Sequence, residues 1–393
     1  MRVLLALVVA SSLATAACDS TGDVDQNASG TDATGAGNGA GTGGTGPGSG
    51  GAGSGTTSVT GAGGGAGATG AGGSGGGLLT CDPAPACDLA PPDPGAAIEW
   101  NHTASIIAAA AGDPNHRGRD LFLNPGDPQW VIGKFSYGVT DKDIHDEAVD
   151  VWLLRDCTTW EMLGTTLTTD DGEHPTVEGV DDAGGRIFFP IPEAKALGPG
   201  MHRVHLVVRG DLSSADLFID VVPAGTPVFV SDVDGTLTTS ETEEYASLLT
   251  GAISPANPGA PEALQTLVDK GYRALYLTAR PEWLVGRTRE FLDTRGFPRG
   301  LVHTTLGLTG ALGSAASGFK TDELAMLAAK SLVPEYAFGN TETDAAAYEA
   351  AGIDPLDHRI FFQFDDTVSG GRRIESYTDL VPEFEALPPL CQP

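Results

Sequence analysis

Pro227-Val228-Phe229-Val230-Ser231-Asp232-Val233-Asp234-Gly235-Thr236 is the stretch on which the reading of this chain turns. Pro227 to Ser231 form a short apolar strand, and two carboxylates two residues apart stand at its end. Held by a turn, such a pair can divide labour: one carboxylate attacks phosphorus while the other handles protons at the leaving oxygen. Their mutual repulsion calls for a cation, and hard oxygen ligands call for Mg2+. A calcium loop of the EF-hand type is excluded, because Gly235 comes too early in the turn for it.

Downstream the pattern alternates. Helices are expected over Pro261–Lys270, Glu282–Arg295, Thr321–Ser331 and Asp344–Ala351, with strands over Tyr272–Thr278, Leu301–Thr305, Glu335–Phe338 and Arg359–Phe362. Such alternation implies an open parallel sheet with helices on both faces and a site at the carboxyl ends of its strands. Leu277-Thr278-Ala279-Arg280 ends the second strand, where the Thr278 hydroxyl and nearby backbone amides can hold phosphoryl oxygens. Ala279 and Arg280, with Gly235 and Thr236, are the candidate substrate-binding positions. Lys320 is expected just before a helix, as a cation facing a transferring phosphate. Phe338-Gly339-Asn340-Thr341-Glu342-Thr343-Asp344 follows the fourth strand, and Asn340 and Asp344 can supply or orient the remaining Mg2+ ligands. A lone Asp-x-Asp is usually a solvated turn, and Asp170-Asp171 and Asp365-Asp366 are read as surface turns. Four such pieces in order, each beside a strand or helix, indicate a Mg2+-dependent phosphoryl-transfer site.

This order resembles the haloacid dehalogenase (HAD) superfamily of phosphatases, over roughly residues 226–365. The resemblance makes Asp232 the nucleophile, Asp234 the general acid/base, Thr278 the second motif, Lys320 the third, and Asn340 with Asp344 the fourth. It implies a Rossmann-like α/β domain, and the short spacing between motifs leaves little room for a cap. Phe319-Lys320, Tyr336-Ala337-Phe338-Gly339-Asn340, Asp344, Tyr348, Gly352 and Arg359-Ile360-Phe361 look like the lipin/LNS2-type phosphatidate phosphatase domain. Tyr276-Leu277-Thr278-Ala279-Arg280-Pro281 through Phe297-Pro298-Arg299-Gly300 look more like its relative in membrane-associated phosphatidylinositol-transfer proteins. The resemblance implies that this relative binds phosphatidic acid without hydrolysing it and lacks the nucleophilic Asp; this chain keeps Asp232. The expected substrate is phosphatidic acid or another phosphate monoester. A non-catalytic phosphatidate-binding module and a secreted phosphatase for soluble monoesters are the alternatives.

Upstream, residues 95–224 read as an all-β, immunoglobulin-like antiparallel sandwich, with strands at Trp130–Tyr137, Ala148–Leu154, Arg186–Ile191, His202–Val208 and Asp216–Val221. It shows no catalytic constellation; His202 and His205 would face opposite sides of a strand. The HAD-like domain is placed at 226–390.

Before residue 95 the composition changes. Met1-Arg2, an apolar run from Val3 to Ala10 and small residues to Ala17 read as a signal peptide over 1–17. Thr15-Ala16-Ala17-Cys18 resembles a bacterial lipoprotein signal, which implies lipidation of Cys18 and a lipid-anchored protein of the bacterial cell envelope. Residues 18–80 then form a Gly-rich tether; about fifty residues of such coil reach roughly 40 Å. Gly72-Gly73-Ser74-Gly75-Gly76 matches a hydrolase nucleophile elbow in letters only, with no strand before it. Cys81, Cys87, Cys157 and Cys391 are disulfide candidates outside the cytosol, with Cys81–Cys87 and Cys157–Cys391 the preferred pairing. The net charge of −30 over 393 residues repels phosphate backbones and excludes general nucleic-acid binding. It also opposes approach to anionic lipid, which the anchor would offset by raising local concentration. Oligomeric state is not legible.

Overall fold

The computed structural model describes residues 86–239, 252–365 and 368–390. The signal peptide, Cys18, the tether, Cys81 and Cys391 lie outside the described residues. The first half is built from β1 (Arg117–Gly118), β2 (Leu121–Leu123), β3 (Trp130–Lys134), β4 (Ser136–Tyr137), β5 (Lys142–Asp143), β6 (Ala148–Arg155), β7 (Thr159–Leu167), β8 (Arg186–Pro190), β9 (Gly200–Val208) and β10 (Ser214–Val221), with helix α1 at Thr103–Ala110. One sheet runs β2-β10-β9-β6-β7, a second β1-β3-β8, and β4 pairs with β5. Alternation drives the packing: Ala215, Leu217, Ile219 and Val221 of β10 point inward, as do Val149, Val151 and Leu153 of β6.

The sandwich departs from expectation in several places, and β1, β2, β5 and α1 are short elements that were not expected. β2 pairs parallel to β10, so the sheet is not wholly antiparallel. β7 is an additional strand; it is a Thr-rich edge, exposed along much of its length, and therefore lacks a clean apolar alternation. Cys87 bonds to Cys157, so neither half of the preferred pairing forms. The bond fixes the segment before α1 along the five-stranded sheet, where Trp160 donates to Ala90 O at 2.7 Å and Arg203 to Cys87 O at 3.1 Å. Segments distant in sequence meet here, which spacing between cysteines does not reveal.

The second half contains β11 (Val228–Ser231), α2 (Ala260–Asp269), β12 (Arg273–Leu277), α3 (Val285–Thr294), β13 (Leu301–His303), α4 (Ser314–Ala329), β14 (Pro334–Gly339), α5 (Glu342–Ala350), β15 (Arg359–Phe362), β16 (Arg372–Ile374) and α6 (Val381–Glu385). The sheet order is β13-β12-β11-β14-β15-β16, and every pairing is parallel. Phe229, Tyr276 and Phe338 face α2, α3 and α6, whereas Val230, Leu275 and Ala337 face α4 and α5. Phe122, Met201 and Val222 of the sandwich join this second cluster. The β-sandwich is thus packed directly on the α/β domain, and both belong to one compact unit.

Counted from β11, the sheet order is third, second, first, fourth, fifth, sixth. The direction of winding reverses between β11 and β14, and a crevice opens there at the carboxyl ends of the strands. Asp232 follows β11 and Asn340 follows β14.

Candidate active site

Asp232 continues the pairing of β11, its amide donating to Phe338 O at 2.9 Å. The chain then turns sharply. Gly235 takes φ +73, a left-handed conformation, and its amide donates to Thr238 Oγ1 at 2.9 Å. Two residues that the sequence did not reveal hold this turn from outside. Asn257 donates to the carbonyls of Thr236 and Thr238 at 2.8 and 3.1 Å, and Tyr377 donates to Thr236 O at 3.1 Å. The Thr236 hydroxyl lies 3.0 Å from Asp232 Oδ2 and 2.9 Å from Asn340 Oδ1, so the first and fourth motifs meet at one atom.

Lys320 lies inside α4, not before it, and reaches the crevice from the side. Its Nζ donates to Asp232 Oδ1 at 2.6 Å and to Asp344 Oδ1 at 2.5 Å, and all three side chains are buried. Burial pushes the Asp232 carboxyl up, to about 7, and the neighbouring Asp344 and Asp234 push the same way against the pull of Lys320. Burial alone would lower the Lys320 ammonium, but Asp232 and Asp344 more than reverse it. Both directions have one origin: several carboxylates share a single ammonium in a dry site.

Asp344 has the most constrained carboxylate. Besides Lys320, it accepts at Oδ2 from Asn340 N at 3.0 Å, Thr341 N at 3.1 Å and Thr341 Oγ1 at 2.8 Å, forming the capping box of α5. A Cβ on Gly339 would lie 2.5 Å from Asp344 Cβ, so only glycine admits this approach.

Asp234 is held on the other side. Thr278 Oγ1 donates to its Oδ2 at 3.0 Å, and Arg280 grips both oxygens, with Nη2 2.6 Å from Oδ1 and Nε 2.9 Å from Oδ2. Arg280 also donates through Nη1 to Thr288 Oγ1 at 3.0 Å. Its own amide is bonded to Thr278 Oγ1 at 3.2 Å, and Ala279 offers its carbonyl to Ala311 N at 2.9 Å. The 278–280 turn is therefore braced by internal bonds. The sequence placed Arg280 near phosphate; the structure adds its grip on Asp234.

Among the described residues no three acidic, His or Cys side chains gather as a metal cluster. The oxygens that converge on the Thr236 hydroxyl are of mixed kind, the Asp232 carboxylate and the Asn340 amide. Such hard, partly neutral oxygens fit Mg2+. Asp344, with its oxygens given to Lys320 and the α5 cap, fits a supporting place behind that set.

Residues 229–362 match the family model described as the LNS2 domain of PITM 1-3, and residues 114–221 match the beta-sandwich domain of PITM 1-3. The chain is similar to that pair of domains, the beta-sandwich preceding the LNS2 match. Human membrane-associated phosphatidylinositol transfer protein 1 is 30% identical over 214 residues, 54% of this chain and 16% of the human protein. Protein retinal degeneration B of Drosophila melanogaster is 32% identical over 198 residues, 50% of this chain and 14% of its own length. Mouse membrane-associated phosphatidylinositol transfer protein 2 is 31% identical over 260 residues, 65% of this chain and 18% of its own length. The chain thus spans less than a fifth of the length of these relatives.

Proposed function

We propose that this chain is a Mg2+-dependent hydrolase of phosphate monoesters, acting on phosphatidic acid or a related lipid phosphate. Its α/β half would then be a capless, Rossmann-like domain of the HAD type. The observation that carries this reading is Asp232 at the switch point, with one oxygen on Lys320 and the other on Thr236. A carboxylate oxygen of Asp232 attacks phosphorus in line, and the bond from phosphorus to the ester oxygen breaks. Asp234 gives its proton to that leaving oxygen. It then takes a proton from water, whose oxygen attacks the aspartyl-phosphate, releasing inorganic phosphate and restoring Asp232. Lys320 stays against the phosphoryl oxygens throughout. Arg280 must pass from Asp234 to the phosphoryl group before Asp234 can carry a proton. Mg2+, when bound by Asp232, the Asp234 carbonyl and Asn340, supplies positive charge against the gathering negative charge.

Two observations support a lipid substrate. The relatives' names speak of phosphatidylinositol transfer. Residues 304–319 carry no charged side chain, and the loop within them exposes Leu308 and Leu312 while packing on the 278–280 turn. That rim gives a strongly acidic chain an uncharged face toward a bilayer. The Cys18 anchor and tether would hold the protein at the bacterial envelope membrane.

The grip of Arg280 on Asp234 favours a second reading, a module that binds a phosphate monoester without turnover. Phosphate release from phosphatidic-acid vesicles, with and without Mg2+, separates the two. Release that needs Mg2+ and disappears in Asp232→Asn supports the hydrolase. Vesicle binding without release, unchanged in Asp232→Asn, leaves the binding module.

A further inference from the structure

The seam between the two domains is ionic where it meets the site. Arg119, between β1 and β2 of the sandwich, donates to Glu323 Oε1 at 2.5 Å and to Thr304 O at 3.3 Å. Glu323 stands one helical turn beyond Lys320 on α4. Its other oxygen lies 2.6 Å from His303 Nδ1, and His303 Nε2 lies 2.9 Å from Asp120 O in the sandwich. Arg119, Glu323 and His303 are all buried. A parallel arrangement holds the other side of the site. Arg117 and Arg186 of the sandwich both bind Glu282, two residues after Arg280.

Buried ion pairs of this kind add little net stability over apolar side chains of equal volume, but each charge demands its partner in a defined place. Apolar contacts already join the domains through Phe122, Met201 and Val222. We propose that the β-sandwich positions the site, with Arg119 a positioning residue that sets the Lys320 ammonium through Glu323 and α4. The inference rests on the reading of the crevice as a phosphate-monoester site. Arg119 touches no reacting atom; it fixes the rotation and depth of α4, and with them the point from which Lys320 faces phosphate.

The test is a double-mutant cycle on the full chain, read as the affinity for inorganic phosphate in the presence of Mg2+, so that turnover is not required. Arg119→Gln and Lys320→Met are measured singly and together, with melting temperature followed for each. Lys320→Arg, which keeps but displaces the charge, replaces Lys320→Met if that variant does not fold, and Arg119→Lys likewise replaces Arg119→Gln. The expected result is a loss of about tenfold in Arg119→Gln, measured below its melting temperature, that is absent when Lys320 is already replaced. Full affinity in Arg119→Gln, or the same loss in both Lys320 backgrounds, would overturn the positioning role alone. A wild-type protein that does not bind phosphate would overturn the phosphate-site reading and this inference with it.

Discussion

Lys320 is the residue on which the site closes, because a single ammonium answers both Asp232 and Asp344 in a buried crevice. Replacing it with Met leaves two buried carboxylates without their cation. Lys320→Met is expected to lose about a hundredfold or more in phosphate release and about 3–5 kcal/mol in stability, read by steady-state kinetics and urea unfolding. Asp344→Asn is expected to cost about 1 kcal/mol through the weakened α5 cap, with a larger loss in activity because Lys320 loses a partner. At this scale much was legible. Asp232, Asp234, Thr278 and Asn340 were marked by their places beside strands, which parallel pairing brings together, and Lys320 by an expected place before a helix. Arg280 on Asp234, and Asn257 and Tyr377 on the Thr236 turn, were not legible. Each is a contact across many residues, and its letters look like an ordinary turn or core aromatic.

At the scale of elements, periodicity located the α/β helices and strands within a few residues, save where local propensity misleads. α4 begins at Ser314 rather than Thr321, because burial of Ala316 and Lys320 overrides the low helix propensity of Ser317 and Gly318. That shift moves Lys320 from a helix start into the helix. β16 was missed because only three residues pair, at the sheet edge. The uncharged loop before α4 carries its own prediction. Leu312→Asp with Leu308→Asp is expected to weaken sedimentation with phosphatidic-acid vesicles several-fold while hydrolysis of a soluble aryl phosphate persists. Equal loss of both would place the loop in the chemistry instead. In the sandwich, Cys157→Ser is expected to lower stability by about 2–4 kcal/mol, measured by denaturant unfolding against the oxidised protein.

Over the whole molecule, polar groups inside the sandwich and at the seam couple their protonation to folding. Burial lowers the His116 imidazole from 6.5 to about 4. Its contribution to stability is complete above pH 6.5 and fades as pH falls toward 4, because the unfolded chain then binds the proton more readily. Burial would raise Glu323, but Arg119 and His303 hold it at about 2, from 4.5. Its contribution is complete above pH 4.5 and is lost as pH falls toward 2. Urea midpoints should therefore decline in two stages below pH 6.5, and His116→Phe should flatten the first while leaving the second. The two-domain organisation was legible from the change of hydrophobic period near residue 227; the ionic seam was not, since complementary charges on separate domains carry no pattern along the chain. Asp232 as nucleophile is tested by mass spectrometry of its peptide after acid quench during turnover of phosphatidic acid. A phosphoryl adduct on Asp232 that requires Mg2+ is expected. Steady phosphate release with no adduct on Asp232 would contradict that role.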